Sequence, residues 1–241
     1  VPPNGFILPS TKAVMTPDPA KAAASTSPPL RVADHPVEGH GVIRRIAIDR
    51  PERLNALNAG TLDALHAAFD AAAADPVVRV VVLTGSGPKA FVAGADIAEM
   101  SFLSPAEGRD FSLRGTRMMR RVEKMPKPVI AMINGFALGG GLELAMACHL
   151  RIASDTAKVG QPEINLGLIP GFGGTQRLLR LAGRAATLEL CLLGAPIDAA
   201  RAHALGIVNR VVPAADLDAE VAKVAAVEDQ ELRDVMRGEI K

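Results

Sequence analysis

Two glutamates lie beside glycine-rich segments of this chain, and both are candidates for acid–base chemistry. Glu143 is the one charged residue in the apolar run 142–148, which follows the triple glycine 139–141. A carboxylate in an apolar helix is costly unless it is paired, protonated or used in a reaction. Glu163 precedes a second glycine-rich segment, residues 171–174. These residue types indicate a site that transfers protons.

The triple glycine gives Glu143 a setting suited to anions. Glycines let a ligand approach the backbone closely, and the N-terminus of a helix presents free N–H groups that favour negative charge. A strand, a glycine corner and a buried helix therefore resemble an anion-stabilising catalytic site. The alternative is structural: Glu143 favours its helix dipole, and Glu163 simply follows a turn proline. Their separation of 20 residues does not establish that they are close in space.

Other glycine, histidine and serine chemistries lack the spacing they need. Neither glycine-rich segment completes the pattern GxGxxG, and no Gly-Lys-Ser/Thr follows a predicted strand. The five histidines are scattered without the spacing of metal ligands. Ser154-Asp155 near His149 does not form a nucleophile elbow. We therefore expect no metal site and no dinucleotide or P-loop site.

The composition indicates a soluble, cytoplasmic protein with one main core. The chain has 241 residues, 49% hydrophobic content and a formal net charge of +1. This charge gives no field that favours nucleic acid or an anionic membrane. No apolar run reaches the roughly 18 residues of a membrane span. Cys148 and Cys191 lie in apolar helical surroundings, so we expect buried thiols rather than a disulfide.

Alternating strands and helices must position the two glutamates, which favours an α/β fold with buried strands. Residues 1–29, rich in Pro, Ala, Ser and Thr, are expected to form a flexible leader. Apolar runs and turn residues predict strands at 41–49, 77–84, 128–133, 150–154, 157–160 and 207–212. Helical spacing predicts helices after Asn58 or Thr61 and at 105–123, 142–148, 175–181, 185–193 and 199–205.

The loop at 89–100 consists largely of small residues. Gly94 and Ala95 leave room for a ligand beside the backbone, and Asp96 is placed to cap the helix that follows. The loop is therefore a third candidate for contact with a ligand.

Three segments together resemble the signatures of the enoyl-CoA hydratase/isomerase (crotonase) family. They read FVAGADIAEM from residue 91, NGFALGGGLELAMAC from residue 134 and QPEINLGLIPGFGGTQRL from residue 161. Arg50-Pro51, with Leu-Asn-Ala-Leu at 54–57, and Gly-Ile-Val at 206–208 also fit. The resemblance covers about residues 40–213, and the three motifs are specific in combination.

The resemblance implies a spiral of ββα units, assembled as a trimer or a pair of trimers, that binds acyl-CoA. By motif position, the N–H groups of Ala95 and Gly140 would form an oxyanion hole for the thioester oxygen. Glu143 and Glu163 would hold one water; Glu143 mainly accepts its proton, and Glu163 delivers one to the α-carbon. Gly171 would open the following helix beside the acyl group. No metal or redox cofactor is needed, because coenzyme A is part of the substrate.

The family pattern also implies the residues that contact the substrate. The segment 95–98 would touch the CoA adenine, and the two residues after Glu52 would line its path. The implied substrate-binding set is Arg53, Leu54, Ala93, Ala95, Asp96, Ile97, Ala98, Gly140 and Gly171.

The sequence departs from the family pattern at two places. His149 stands where the family usually carries Asp, which bears on local structure more than on chemistry. After a catalytic core at 30–213, only a short helical segment remains at 214–241, where the family normally has several helices. Leu217, Val221 and Val224, then Leu232, Val235 and Met236, have helical spacing and offer a partial substitute. We therefore expect weak or concentration-dependent assembly of this chain.

The resemblance implies an enoyl-CoA hydratase, which adds water across the α,β double bond of a 2-enoyl-CoA. A Δ3,Δ2-enoyl-CoA isomerase needs only one acid–base group, so the presence of both Glu143 and Glu163 argues against it. A third possibility is a catalytically silent homologue that serves as a scaffold or an RNA-binding subunit. The near-zero net charge and the absence of a basic cluster disfavour RNA binding.

Overall fold

The structure is a computed structural model that describes residues 28–37 and 41–226. Residues 1–27 of the expected leader, and Leu232, Val235 and Met236, lie outside the described residues. The strands in the described part are β1 (Leu30–Val37), β2 (Gly41–Ile48), β3 (Val78–Gly85), β4 (Ala90–Val92), β5 (Val129–Ile133), β6 (Phe136–Leu138), β7 (Leu150–Ser154), β8 (Lys158–Gly160), β9 (Ile197–Asp198) and β10 (Arg210–Val212). The α-helices there are α1 (Ala59–Ala74), α2 (Ile97–Met100), α3 (Pro105–Glu123), α4 (Gly140–Ala147), α5 (Gly174–Leu193), α6 (Ala199–Ala204) and α7 (Leu217–Ala225).

The described strands form two sheets, and the chain passes repeatedly from one to the other. The larger sheet has the order β1-β2-β3-β5-β7-β10, and the smaller has the order β4-β6-β8-β9. Each of β3, β5 and β7 in the larger sheet is followed directly by β4, β6 or β8 in the smaller one, and helices follow each pair. This repetition confirms the predicted spiral of ββα units.

The parallel strands of the larger sheet are buried, as the sequence predicts. Strand β3 has only one residue that is not buried, and all five residues of β5 are buried. Parallel strands are covered on both faces, which accounts for their nearly continuous apolar composition. One face packs into the main core with α1 and α3. On the other face Leu217, Val221 and Val224 of α7 join a second apolar cluster, which confirms their predicted helical spacing.

Local signals account for the helix boundaries. Asn58 caps α1, because its side chain accepts a hydrogen bond of 2.8 Å from the backbone N–H of Thr61. Helix α3 has the predicted bounds and begins with a capping box formed by Ser104 and Glu107. The two helices predicted on either side of Gly183 are halves of α5, which breaks at this residue (φ 76°, ψ 175°). No described helix is both long enough and apolar enough to cross a membrane.

Candidate active site

Gly139 brings the two glutamates together at the start of α4. Its backbone has φ 51° and ψ −123°, a conformation that favours glycine. A Cβ atom added here would lie 2.9 Å from Oε1 of Glu163, so a side chain would displace that carboxylate. All eight residues of α4, including Glu143, are buried, which confirms the predicted buried helix.

The second glycine-rich segment holds the carboxylate of Glu143. Its Oε1 atom accepts hydrogen bonds from the backbone N–H groups of Phe172 (2.8 Å) and Gly174 (2.6 Å). Burial raises the pKa of Glu143, while these two N–H groups and the charge of Arg177 act in the opposite direction. The hydrogen bonds therefore offset part of the cost of burying the carboxylate.

Glu163 lies in a 3₁₀-helix, Pro162–Leu166, and its carboxyl group is half-buried. Burial, with a further contribution from the negative charge of Glu143, raises the pKa of Glu163 to about 7. Gln161 is fully buried beside it. With its amide oriented to satisfy hydrogen bonding, Gln161 donates to both carboxylate oxygens, at 2.9 and 3.1 Å. These two amide donors favour the ionised form of Glu163, opposite in direction to the effect of burial.

Both glutamates line one cavity of about 510 Å³. The structure therefore answers the question of proximity that the sequence separation left open. The walls of the cavity are mainly apolar and include residues of α2, α3 and the segment after β8. The predicted site residues that line this cavity are Ala93, Ala95, Ile97, Gly140, Glu143, Glu163 and Gly171.

Ala95 and Gly140 lie close together in the cavity wall. A Cβ atom on Gly140 would lie 3.5 Å from the nitrogen of Ala95, and 3.0 Å from the ring of Phe172. Among the described hydrogen bonds, neither of these two N–H groups has a protein acceptor. Within the described part of the chain, both N–H groups are therefore without a protein acceptor beside the cavity, although Gly140 belongs to the triple glycine and Ala95 to the loop of small residues at 89–100.

Arg53 and Leu54 lie beside this cavity rather than in its lining. Arg53 ends the short helix Pro51–Arg53, and Leu54 follows it with a left-handed backbone (φ 50°). The carbonyl oxygen of Leu54 accepts a hydrogen bond of 3.0 Å from the N–H of Ala93, which does line the cavity. Their role in CoA binding stays a prediction.

Asp96 and Ala98 also lie outside the cavity lining, in and before α2. Asp96 occupies the N-cap position of α2, but its side chain makes no capping hydrogen bond. The predicted position of Asp96 before the helix is correct, but the predicted capping hydrogen bond is absent. The carboxylate instead pairs with Arg50 at 2.9 Å, and both side chains are largely buried.

The expectation that Gly171 opens a helix is also wrong. Helix α5 begins at Gly174 after Gly173, whose left-handed backbone (φ 91°) forms the N-cap. Gly171 is exposed at the cavity, and its carbonyl oxygen accepts a hydrogen bond of 2.6 Å from Ser112 of α3. Phe172, which lies between Gly171 and Gly173 in the chain, is buried, and the centre of its ring lies 5.6 Å from that of Phe111.

Four further residues contact the two glutamates or the cavity and were not predicted to do so: Gln161, Phe172, Gly174 and Ser112. Gln161, Phe172 and Gly174 lie within a quoted motif, so their proximity to Glu163 was a usable signal. Ser112 lies on a distant helix of the chain and carried no such signal. Within the described residues, no group of three or more His, Cys, Asp or Glu side chains could hold a metal ion.

His149 has a structural setting, as its departure from the family pattern suggests. Its Nδ1 atom accepts a hydrogen bond of 2.9 Å from the backbone N–H of Val129. Burial lowers the pKa of His149, which favours the neutral imidazole needed for this contact. The residue is not part of the cavity lining, so it positions β5 rather than the substrate.

A family model described as enoyl-CoA hydratase/isomerase matches residues 38–237. The chain belongs to this family. A crotonyl-CoA hydratase of Syntrophomonas wolfei is 52% identical over 178 residues, which cover 74% of this chain and 68% of the relative. A short-chain-enoyl-CoA hydratase of Clostridium acetobutylicum is 48% identical over 181 residues, covering 75% and 69%.

Solved structures of the enoyl-CoA hydratase/isomerase family share the fold of this chain. The crystal structure of an enoyl-CoA hydratase from Bacillus anthracis superposes with a TM-score of 0.76 at 39% identity. It matches 80% of this chain and 74% of its own chain. The crotonase-like fold predicted from the motifs is thus confirmed.

Proposed function

We propose that this protein is an enoyl-CoA hydratase that adds water in the syn sense to a 2-enoyl-CoA in fatty acid β-oxidation or related acyl-CoA catabolism. The observation that carries the proposal is the shared cavity, in which two carboxyl groups lie near two available N–H groups. The printed names of the relatives, crotonyl-CoA hydratase and short-chain-enoyl-CoA hydratase, support short acyl chains.

In this proposal, the N–H groups of Ala95 and Gly140 bind the thioester oxygen. Negative charge grows on this oxygen when water attacks the β-carbon and the double-bond electrons move towards the carbonyl group. Donors that are already in position stabilise that charge, and the loss of one typically raises the barrier by about 3 kcal/mol. The enolate-like state is therefore the species that the site binds most strongly.

The two glutamates divide the proton transfers. Glu143 is stabilised as a carboxylate by two N–H donors, so it accepts the proton of the attacking water. Glu163, with its pKa raised to about 7, is about half protonated at pH 7, and in its protonated form it delivers the proton to the α-carbon. A carbon–oxygen bond and an α-carbon–hydrogen bond form as the double bond is lost. Proton exchange between the carboxyl groups and solvent then restores the starting state.

The rest of the acyl-CoA would lie along the segments that border the cavity. We assign the CoA contacts to Arg53, Leu54, Ala93, Asp96, Ile97 and Ala98, and the acyl contact to Gly171. No metal or redox cofactor takes part in the proposed reaction. We also propose a homotrimer or a dimer of trimers in the cytoplasm; the unpaired thiols of Cys148 and Cys191 favour a reducing compartment.

Hydration of crotonyl-CoA tests the proposal directly. The absorbance of the conjugated thioester should fall as 3-hydroxybutyryl-CoA forms. Turnover of a 3-enoyl-CoA without hydration of crotonyl-CoA would instead indicate an isomerase. No turnover of either substrate would indicate a catalytically silent member of the family.

A further inference from the structure

The N–H donors that hold Glu143 belong to a short loop that α3 and α5 fix from the opposite side. The loop comprises residues 171–173, with Gly174 as the first residue of α5. Ser112 donates to the carbonyl oxygen of Gly171 at 2.6 Å. Arg177 donates through Nη1 to the carbonyl oxygen of Phe172, also at 2.6 Å. The backbone N–H groups of Phe172 and Gly174 therefore bind Glu143. The carbonyl oxygens of Gly171 and Phe172 bind side chains of α3 and α5.

Arg177 is held in place by a second contact. Its Nε atom donates to Oε1 of Glu123 at 2.7 Å, and only 12% of the arginine side chain is exposed. Glu123 is the last residue of α3. A Cβ atom on Gly173 would lie 2.8 Å from Nη1 of Arg177, so the glycine leaves the space that the guanidinium occupies. The cation is thus fixed against the loop rather than extended into solvent.

We propose that Arg177 is a positioning residue for Glu143: its guanidinium fixes the loop whose N–H groups bind the carboxylate, and its positive charge stabilises the carboxylate form. This inference rests on the proposed role of Glu143 as the group that accepts a proton from water. An arginine suits both tasks, because its fork binds a carbonyl oxygen and a carboxylate at once and stays charged.

Other titratable groups lie near Glu143. Glu163 lines the same cavity, and burial together with the negative charges of both glutamates raises the pKa of the Cys191 thiol in α5. Arg177 is the cation among the groups that shift the pKa of Glu143, and Glu123 partly neutralises it. Removal of the Arg177 charge should therefore raise the pKa of Glu143, whereas removal of the Glu123 charge should lower it.

The test compares the pH dependence of kcat/KM for crotonyl-CoA in Arg177→Gln, Arg177→Lys and the parent. We expect Arg177→Gln to lower kcat/KM at pH 7 by roughly 10- to 100-fold, because the donors of Glu143 lose their alignment. Its acidic limb should also move to higher pH. Arg177→Lys keeps the charge, so its limb should stay close to that of the parent. Arg180→Gln, on the exposed face of the same helix, is the matched control and should change neither quantity.

Glu123→Gln provides a second test with the opposite sign. It leaves Arg177 charged, so the acidic limb should move to lower pH. A purely structural role for Arg177 would reduce turnover without moving the limb in either variant, and that result would overturn the inference. If Arg177→Gln does not fold, an unchanged limb in Glu123→Gln is sufficient to reject it.

A titration that needs no turnover separates this inference from the proposed function. The carboxyl group of Glu143 can be followed by ¹³C NMR in the parent and in Arg177→Gln, and assigned with Glu143→Gln. An upward shift of its midpoint in Arg177→Gln supports the inference even if the parent does not hydrate crotonyl-CoA. An active parent whose Glu143 titration is unchanged in Arg177→Gln contradicts the inference alone.

Discussion

At the scale of single residues, the two carboxyl groups differ in what surrounds them. Glu143 is 1% exposed and accepts two backbone N–H groups, whereas Glu163 is less buried and receives a side-chain amide. Backbone donors favour the ionised form of Glu143. Desolvation and the neighbouring negative charge favour the protonated form of Glu163. Burial raises the pKa of both glutamates, and the two backbone N–H donors oppose this effect at Glu143.

Glu143→Gln and Glu163→Gln should each lower kcat for crotonyl-CoA by about 100- to 10,000-fold. Glutamine preserves shape and hydrogen-bonding capacity but cannot transfer a proton, so acyl-CoA affinity should change little. The double variant should fall far short of the product of the two effects, because both residues act on one water. Steady-state kinetics measures kcat, and a separate measurement of product acyl-CoA binding tests whether the affinity is unchanged. A single variant that hydrates at close to the parent rate would remove that carboxylate from the mechanism.

The raised pKa of Glu163 also predicts a pH-dependent cost in stability. The folded-state pKa of about 7 lies above the usual 4.5, so the protonated group stabilises the fold below pH 4.5. This contribution is lost as pH rises from 4.5 through 7. Glutamine does not ionise, so Glu163→Gln should not lose this stability as pH rises. We expect its free energy of unfolding at pH 8 to be roughly 1–2 kcal/mol higher than that of the parent, after allowing for partial exposure of Glu163. Urea unfolding at pH 8 and pH 4.5 tests this; an equal difference at both values would contradict it.

At the scale of elements, the junction between the second glycine-rich segment and α5 determines the position of Glu143. A Cβ atom on Gly174 would lie 2.8 Å from Oε1 of Glu143 and 2.6 Å from the side-chain amide of Gln161. Both side chains are buried and have little room to retreat. Gly174 is therefore required by close packing rather than by its backbone angles.

We expect Gly174→Ala to lower kcat for crotonyl-CoA by about 10- to 100-fold, because the carboxylate must leave its two N–H donors. The free energy of unfolding should fall by about 1–3 kcal/mol from overpacking. Gly60→Ala in α1 is the matched control, since its nearest neighbour to an added Cβ atom is 3.8 Å away. Equal kinetics for the two alanine variants would show that this junction does not hold the carboxylate.

The elements also show where sequence reasoning succeeds and where it lacks a signal. The bounds of α3 follow from Pro105 and the Ser104 capping position, and the break in α5 follows from Gly183. Strand β1 was not predicted, because it is an edge strand with six exposed residues and no buried face to create a pattern. Strands β4, β6 and β9 have only two or three residues, too few to show periodicity.

Only part of the candidate site could be predicted from the sequence, for a related reason. The types of Glu143 and Glu163 and their glycine neighbours were visible locally, but their common cavity depends on β6 and β8 lying side by side. That pairing brings Gly139 beside the residues after β8, and its backbone N–H bonds to Gly160 at 2.9 Å. Only the resemblance to a family implied that the two carboxyl groups act together.

At the scale of the whole molecule, the C-terminal end of α5 has exposed apolar side chains. Leu188, Leu192 and Leu193 are 43%, 62% and 67% exposed on its last turns. Apolar residues clustered in this way usually mark a contact surface. We expect this end of α5 to be buried in the proposed trimer.

Leu192→Glu with Leu193→Glu should shift the protein from trimer towards monomer. Two buried charges without partners oppose association, whereas the monomer fold should persist because both side chains already face solvent. Sedimentation velocity over a concentration series measures the distribution. Val77→Glu, which alters another exposed apolar residue, is the control and should leave it unchanged. A parent that is monomeric at all concentrations would contradict the proposed assembly.

The most direct test of the central account is solvent exchange at the α-carbon of 3-hydroxybutyryl-CoA in deuterium oxide. In the proposed mechanism, Glu163 transfers the proton of the α-carbon and Glu143 transfers the proton of the water. We predict that Glu163→Gln abolishes deuterium incorporation at this carbon more completely than Glu143→Gln does, when both are followed by NMR at equal enzyme concentration. If Glu143→Gln suppresses the exchange as strongly as Glu163→Gln, or Glu163→Gln exchanges at the parent rate, the assignment of the two glutamates is wrong.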